Sequence, residues 1–191
     1  MSGHGGKQLA EITLTKQAAA HRLIASSIRM ANDGEDALAR HVVAASAVNL
    51  LRELIADRGP NLTEHALQYS FYSQAMARID GRPTGFENEE AVCAIVDRIV
   101  EAINAGQVKS YMDLRVEVSA AEERRMLDSI LRPFNFLKHA QRDPLATLNQ
   151  DDVNPLHALQ VAIAAYYFLF PGETMTPDIL AFVESEGWTI A

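Results

Sequence analysis

Apolar residues recur at every third or fourth position along most of this chain, and this spacing restricts its fold more than any other feature. In an α-helix, side chains three and four positions apart share one face, so the spacing predicts helices. Glycine, proline and capping residues separate the periodic stretches, as they do at helix ends. No repeat of roughly 20 to 50 residues is present, which argues against a helical solenoid. We therefore predict an all-α fold, an irregular bundle of about seven or eight helices without a sheet.

Capping residues mark the ends of the individual helices. Thr15 is placed to cap the first helix, and Ser119 with Glu122 forms a Ser-x-x-Glu capping box before the fifth. Pro133 is expected to interrupt the fifth helix or to restart it, because an interior proline removes a backbone donor. The predicted helices cover residues 16–31, 36–58, 63–81, 88–106, 119–131, 155–170 and a short last segment from 177.

The length of 191 residues suits one domain with one hydrophobic core. Residues 1–15 contain a glycine-rich run and no apolar signal-peptide segment. We predict a flexible N-terminal tail there and a single helical domain over residues 16–191. The most apolar stretch, residues 156–170, is too short and too polar to span a bilayer, so no membrane association is expected. The formal net charge of −8 disfavours general coating of nucleic acid.

Cys93 is the only cysteine of the chain, so an intramolecular disulfide cannot form. Zinc sites that use paired thiolates are excluded for the same reason. We therefore predict a reducing, cytoplasmic location. Because its immediate neighbours in the sequence are apolar, Cys93 itself is predicted to be a buried and chemically inert thiol.

The segment from Arg132 to Pro144 combines basic residues with a histidine, an amide and a carboxylate. If Pro133 occupies the first position of a helix, four polar residues share one helical face and a carboxylate follows one turn later. Such a set predicts a site for an anion or a phosphate, because the cations stabilise negative charge and the histidine transfers protons near neutral pH. The alternative is a solvated charged face with a His–Asp pair. The residues concerned are Asn135, Lys138, His139 and Arg142, with Asp143 as the carboxylate.

Arg132, six further residues and then His139 resemble the Arg-x(4–6)-His motif of HEPN domains. Members of that family are small helical bundles, often dimers, and many cleave RNA without a metal. The resemblance implies that Arg132 contacts the phosphate and that His139 acts as the acid or base. The residue after the arginine is commonly polar in the family, whereas Pro133 stands here. The run from Asn135 to Pro144 also resembles segments of bacterial proteins of unassigned function.

The other histidines show no metal-ligand spacing. The sequence has neither a His-Glu-x-x-His nor a Glu-x-x-His signature, so we predict no metal site. No Gly-rich phosphate loop or dinucleotide fingerprint appears, so no cofactor is predicted. His41 is predicted to be a core or interface histidine that hydrogen-bonds to a neighbour. His157 and Gln160 open the helix at 155–170 and would line a pocket if that helix borders a cavity. The favoured alternative is that their side chains satisfy each other and the nearby backbone.

Two classes of function remain open on this sequence. The first is a non-enzymatic helical module that binds a partner or a small ligand, because apolar and aromatic faces outnumber recognisable catalytic motifs. The alternative is the metal-independent ribonuclease that the HEPN resemblance implies. Aromatic and alanine-rich helix faces predict a homodimer, and the polar segment predicts RNA or an anionic small ligand as the bound species. Whether the chain is an enzyme stays open.

Overall fold

The computed structural model describes residues 13–57, 61–83, 90–139 and 141–188. Over these residues the protein contains seven α-helices, two short 3-10 turns and no β-strand, which confirms the predicted all-α fold. The predicted tail over residues 1–12 and the predicted stop at Gly59 and Pro60 lie outside the described residues. The helices are α1 (Lys16–Asn32), α2 (Ala37–Ala56), α3 (Leu62–Ile79), α4 (Glu90–Asn104), α5 (Ala120–Lys138), α6 (Pro155–Leu169) and α7 (Pro177–Ser185).

Side-chain caps explain where the helices begin. Thr15 accepts a hydrogen bond from the amide of Ala18 at 3.1 Å and caps α1, as predicted. The start of α3 differs from the prediction, which opened that helix at Thr63. Asn61 caps it instead, because its amide oxygen accepts a hydrogen bond from the backbone N–H of Thr63 at 2.8 Å. The third helix therefore begins one residue earlier, at Leu62.

α6 is the central helix of the bundle. Asn154 caps it by accepting a hydrogen bond from the amide of His157 at 3.0 Å, and Pro155 occupies its first turn. Nine of its residues are buried, so it meets the core on nearly every side. α2 packs most extensively against it, and α1 and α3 contact it as well. No described helix, α6 included, is long and apolar enough to cross a membrane.

Alanine dominates the contact between α2 and α6. The sequence predicts a wide apolar face of α2 that consists of Leu38, Val42, Ala45, Leu50, Leu51, Leu54 and Ile55. Ala45, Leu51 and Ile55 are buried as predicted. Leu50 and Leu54 are only partly buried. Small side chains let two helices approach closely, so the crossing places the alanines of α2 rather than these leucines at the centre of the contact. The fully buried alanines of the two helices are Ala44, Ala45 and Ala47 in α2 and Ala158, Ala162 and Ala165 in α6.

Pro133 lies inside α5, so the predicted interruption or restart at this residue is wrong. The proline has no N–H for the carbonyl of Ser129. The next carbonyl, that of Ile130, accepts a hydrogen bond from Nε2 of His41 at 2.7 Å. Packing against α2 thus supplies a donor beside the position where the proline removes one, which helps the helix continue. The same bond confirms that His41 is a hydrogen-bonded core histidine.

Cys93 is half-buried, so the prediction of a buried thiol is wrong. It lies on α4, a peripheral helix that packs against α3 and in which Val96 is the one buried residue. Nη2 of Arg78 lies 3.5 Å from the sulfur of Cys93, and the same guanidinium pairs with Asp97 of α4. The thiol is therefore covered by a charged neighbour on α3 and not by the core.

The capping box predicted at the start of α5 is present. Ser119 accepts a hydrogen bond from the amide of Glu122 at 3.3 Å, and the carboxylate of Glu122 accepts one from the amide of Ser119 at 3.0 Å. The hydrogen bonds that this carboxylate accepts from the hydroxyl and the amide of Ser119 hold the pKa of Glu122 below its usual range. The first turn of α5 therefore has two of its backbone donors satisfied by side chains of the same turn.

Ser119→Ala is expected to lower the free energy of unfolding by about 1 kcal/mol, because it removes the N-cap acceptor. The melting temperature should fall by roughly 2–4 °C in a chain of this size. The matched control is Ser129→Ala, since the exposed Ser129 hydroxyl in the interior of α5 donates only to the carbonyl of Met126. Thermal unfolding followed by circular dichroism measures both changes. Equal losses in the two variants would contradict the capping role.

Candidate functional site

Five of the six predicted site residues line one open cleft beside the C-terminal half of α5, which we call the α5 cleft. Its volume is about 600 Å³. Lys138 does not line this cleft but lies along a neighbouring groove, with its ammonium 5.5 Å from the centre of the Phe134 ring. The five residues that do line the cleft are Arg132, Asn135, His139, Arg142 and Asp143.

The chain reaches this arrangement by a turn, not by the single helical face that the sequence predicts. α5 ends at Lys138, and His139 is its C-cap residue. The amide of Arg142 then donates a hydrogen bond to the carbonyl of His139 at 2.9 Å, which folds the chain back toward the helix. The predicted i, i+7 relation of Asn135 and Arg142 is therefore wrong, because it required a helix that starts at Pro133 and continues to Arg142.

Carboxylates balance the cations of the α5 cleft. Arg132 is paired with Asp152, with Nη1 3.0 Å from Oδ2, and 61% of the arginine side chain is exposed. Asp128 and Asp143 line the cleft together with Arg132 and Arg142. No hydrogen bond joins His139 to Asp143 in the described structure, so the expected His–Asp pair does not form there. The cleft offers a mixed charge distribution and not a purely cationic one.

The pKa of His139 lies below its ordinary value. Partial desolvation is the largest cause, followed by the positive charges of Arg142 and Lys138. At neutral pH the imidazole is therefore mostly uncharged and can accept a proton. This is the state that a general base requires. No hydrogen bond from another described residue orients the imidazole ring.

A second and more enclosed space, which we call the α3–α6 cavity, lies between α3, α5 and α6, with one residue from α4. Its volume is about 280 Å³. Most of the lining is apolar, and four polar side chains interrupt it. The apolar residues are Ala66, Leu67, Phe71, Val92, Met126 and Val161. The polar residues are Ser70, Gln74, His157 and Gln160.

The polar side chains of the α3–α6 cavity have unused hydrogen-bonding capacity. Oε1 of Gln74 is shielded from solvent and has no hydrogen-bond partner in the described structure. The side chains of Ser70, His157 and Gln160 likewise make no hydrogen bond with the described residues. Buried polar atoms are normally paired, and an unpaired one in a cavity wall is a position where a ligand or a water would bind.

His157 contributes an uncharged imidazole to the α3–α6 cavity. Burial lowers its pKa, and the nearby His41 lowers it further. α6 borders a cavity and both His157 and Gln160 line it, whereas the favoured expectation, that their side chains satisfy each other and the nearby backbone, is not met among the described residues. Ser70 and Gln74 were missed, because polar residues four positions apart on a helix are usually solvated. The available signal was that Ala66 precedes them on the same stripe, at the spacing i, i+4, i+8.

The described residues contain no set of side chains that could hold a metal ion. Within residues 13–57, 61–83, 90–139 and 141–188, no three histidine, cysteine or acidic side chains come together as a metal site would require. His65 instead stacks on Phe168, with ring centres 3.7 Å apart, and its Nδ1 lies 3.0 Å from Oε1 of Gln68. His65 thus has packing and hydrogen-bonding partners that account for its position.

Comparisons of the chain with protein-family models, with curated proteins and with solved structures find no match. The resemblance of Arg132 and His139 to the HEPN motif therefore stays an expectation from those residues.

Lowering the pH through the folded-state pKa of His157 is expected to destabilise the protein. In the unfolded chain this imidazole takes up its proton near pH 6.5, whereas in the folded chain it does so at lower pH. Unfolding below about pH 6.5 is therefore accompanied by proton uptake, and the free energy of unfolding falls as the pH decreases through this window. His157→Gln should weaken this dependence in urea titrations across pH. Gln160→Leu changes the same wall without a titratable group and should leave it intact.

Proposed function

We propose that this protein binds a small, uncharged, mostly apolar molecule in the α3–α6 cavity. The observation that carries the proposal is Oε1 of Gln74, a solvent-shielded acceptor without a partner in the described structure, set in a mostly apolar wall. A bound molecule with an N–H or O–H group would satisfy this oxygen. This proposal makes the chain a small-ligand-binding helical module.

The volume of the cavity suggests a ligand of about two fused rings. An apolar cavity of about 150 Å³ is known to accept one benzene molecule. The α3–α6 cavity, at about 280 Å³, is nearly twice that size. Phe71 and Met126 in its wall favour an aromatic ligand, because rings and thioethers make favourable contacts with aromatic faces and edges.

The lining favours an uncharged ligand. Among the described side chains that line the cavity, His157 is the one ionisable residue, and its lowered pKa keeps it neutral at neutral pH. A charged ligand would lose its hydration without gaining a counter-ion. A neutral bicyclic aromatic molecule with one N–H donor matches the size, the polarity and the orphan acceptor together.

Calorimetric titration with indole and with benzofuran tests the proposal, since the two molecules have nearly the same shape and differ in the N–H group. Indole should bind the native protein about fivefold or more tightly than benzofuran, because only indole can donate to Gln74. Gln74→Leu should abolish this preference, and Gln107→Leu at an exposed position should retain it. A native protein that binds neither molecule, or a preference that survives in Gln74→Leu, would overturn the proposal.

A second candidate function is metal-independent RNA cleavage in the α5 cleft. The specific observation in its favour is that Arg132, Asn135, His139 and Arg142 line one open space of about 600 Å³. In this proposal His139 acts as the acid or base and Arg132 contacts the phosphate, as in HEPN domains. The mixed charge of the cleft weighs against it, since Asp152 already holds Arg132. The cleft is also where an anionic small ligand would bind.

Incubation with single-stranded RNA in the presence of EDTA tests the second candidate. Native protein should cleave, and His139→Ala and Arg132→Ala should each reduce cleavage by at least about a hundredfold. Arg124→Ala, an exposed arginine on the same helix and outside the α5 cleft, is the matched control. Cleavage that persists in His139→Ala would reject His139 as the acid or base.

A homodimer and a cytoplasmic location complete the proposal. The second candidate depends on the dimer, because HEPN active sites lie near a dimer interface. The aromatic and amphipathic helix faces support a dimer. One of these faces lies on α4, where Ile95 is 41% exposed. Light scattering after gel filtration, at two protein concentrations, measures the mass directly. A monomer at both concentrations would remove the dimer from the account and would leave the α3–α6 cavity unaffected.

A further inference from the structure

A third cavity lies on the opposite side of α6 from the α3–α6 cavity, and we call it the Arg40 cavity. It is enclosed by α1, α2, the first turns of α6, and α7, and its volume is about 310 Å³. Most of its wall is apolar, with Leu156, Leu159 and Phe182 as the large side chains. None of the described residues lines both this cavity and the α3–α6 cavity. A ligand of the Arg40 cavity therefore does not occupy the site of the proposed function.

Arg40 is the cation of this cavity and lacks a carboxylate partner in the described structure. Its Nε is shielded from solvent and has no hydrogen-bond partner there. A guanidinium donor that is removed from water without an acceptor destabilises the protein unless a bound group supplies one. Arg40 differs in this respect from three other arginines. Those arginines and their carboxylates are Arg78 with Asp97, Arg82 with Asp80, and Arg132 with Asp152.

Glu186 is the only other ionisable residue among the described residues that line the Arg40 cavity. It caps the C-terminus of α7 and forms no ion pair with Arg40 across the cavity. The Arg40 segment is held in place from the α1 side, because the hydroxyl of Ser27 donates to the carbonyl of Arg40 at 3.3 Å. The cavity thus presents one cation and one anion on an apolar wall, separated by more than ion-pair distance.

We infer that the Arg40 cavity binds a small zwitterion with an apolar body, such as an amino acid with an aliphatic side chain. The carboxylate of the ligand pairs with the guanidinium of Arg40, and its ammonium group pairs with the carboxylate of Glu186. The hydrocarbon part packs against Leu159 and Phe182. A simple carboxylate would leave Glu186 facing the apolar body, and a simple amine would leave the Arg40 guanidinium unpaired. A zwitterion is the ligand that pairs with both charges of the site at once.

NMR titration of the ¹⁵N-labelled protein with three matched probes tests this inference. The probes are L-leucine, 4-methylpentanoate, which lacks the amino group, and 3-methylbutylamine, which lacks the carboxylate. L-Leucine should shift the amide resonances around Ser27, Arg40 and Phe182. It should also bind about tenfold or more tightly than either truncated probe, because each truncation leaves one charge of the site unpaired.

Two variants test separately the ion pair of the ligand with Arg40 and the ion pair of the ligand with Glu186. Arg40→Gln should remove the preference for L-leucine over 3-methylbutylamine, and Glu186→Gln should remove the preference over 4-methylpentanoate. Glu186 is exposed, so its variant tests the inference even if Arg40→Gln unfolds. Arg29→Gln, an exposed arginine of α1, should change neither preference. Absence of shifts near Arg40 with L-leucine, or a preference over 4-methylpentanoate that survives Glu186→Gln, would overturn the inference.

Discussion

Replacing Leu51 by alanine is expected to lower the free energy of unfolding by roughly 2–5 kcal/mol. Leu51 lies on α2, is fully buried, and belongs to the core shared with α6. The close approach of the alanine faces leaves little freedom for the two helices to collapse into the space that the lost side chain would vacate. The melting temperature should fall by on the order of 10 °C for a chain of this size.

Leu137→Ala provides the matched control for this prediction. Leu137 lies on α5 and is 47% exposed, so the same chemical change removes far less buried apolar surface. Urea unfolding of both variants, monitored by the circular dichroism of the helices, gives the two free energies. Comparable losses in the two variants would show that α2 does not pack against α6 as described.

His41→Leu is expected to lower the free energy of unfolding by roughly 1–3 kcal/mol, although leucine is well tolerated in an apolar core. His41 is 1% exposed, and its Nε2 lies 2.7 Å from the carbonyl oxygen of Ile130. Because a carbonyl oxygen only accepts, Nε2 must carry the proton. Leucine removes this donor, so the carbonyl of Ile130 loses its bond from α2 directly after Ser129, whose carbonyl already lacks a helical donor because of Pro133.

The His41 prediction has an internal check. His41→Gln restores an N–H donor of similar reach, so it should retain more stability than His41→Leu. His21→Leu, at a half-buried position where the ring contacts Tyr166, is the control for the loss of an imidazole alone. Equal stability of the leucine and glutamine variants in urea titrations would mean that the bond to Ile130 contributes nothing.

Most of the fold could be predicted from the sequence, because helix starts depend on local chemistry. Thr15, Ser119 and Asn154 each accept a hydrogen bond from an amide three residues ahead, and no distant residue is required for that. The contact face of α2 was less predictable. Ala45 and Leu51 were predicted correctly. Alanine is nearly neutral in a hydrophobic pattern, so the periodicity alone favoured Leu50 and Leu54 over Ala44 and Ala47.

The site was harder to predict, because its geometry depends on contacts between distant segments. Continuation of α5 through Pro133 relies in part on His41, which comes 92 residues earlier in the sequence. Arg142 and Asp143 reach the α5 cleft through a turn after His139, and a helical projection cannot represent that turn. The stripe with Ala66 was a weak signal for Gln74, because the cavity that it lines forms only where α3 packs beside α6.

The most direct test of the central claim, ligand binding in the α3–α6 cavity, is a set of intermolecular nuclear Overhauser contacts between indole and the methyl groups of the protein. The account predicts contacts from the indole ring to methyl groups of Leu67, Val92 and Val161, which line the cavity from three different helices. Contacts to all three would place the ligand between α3, α4 and α6. Contacts confined to methyl groups elsewhere, or none at saturating indole, would contradict the claim that this cavity is the functional site.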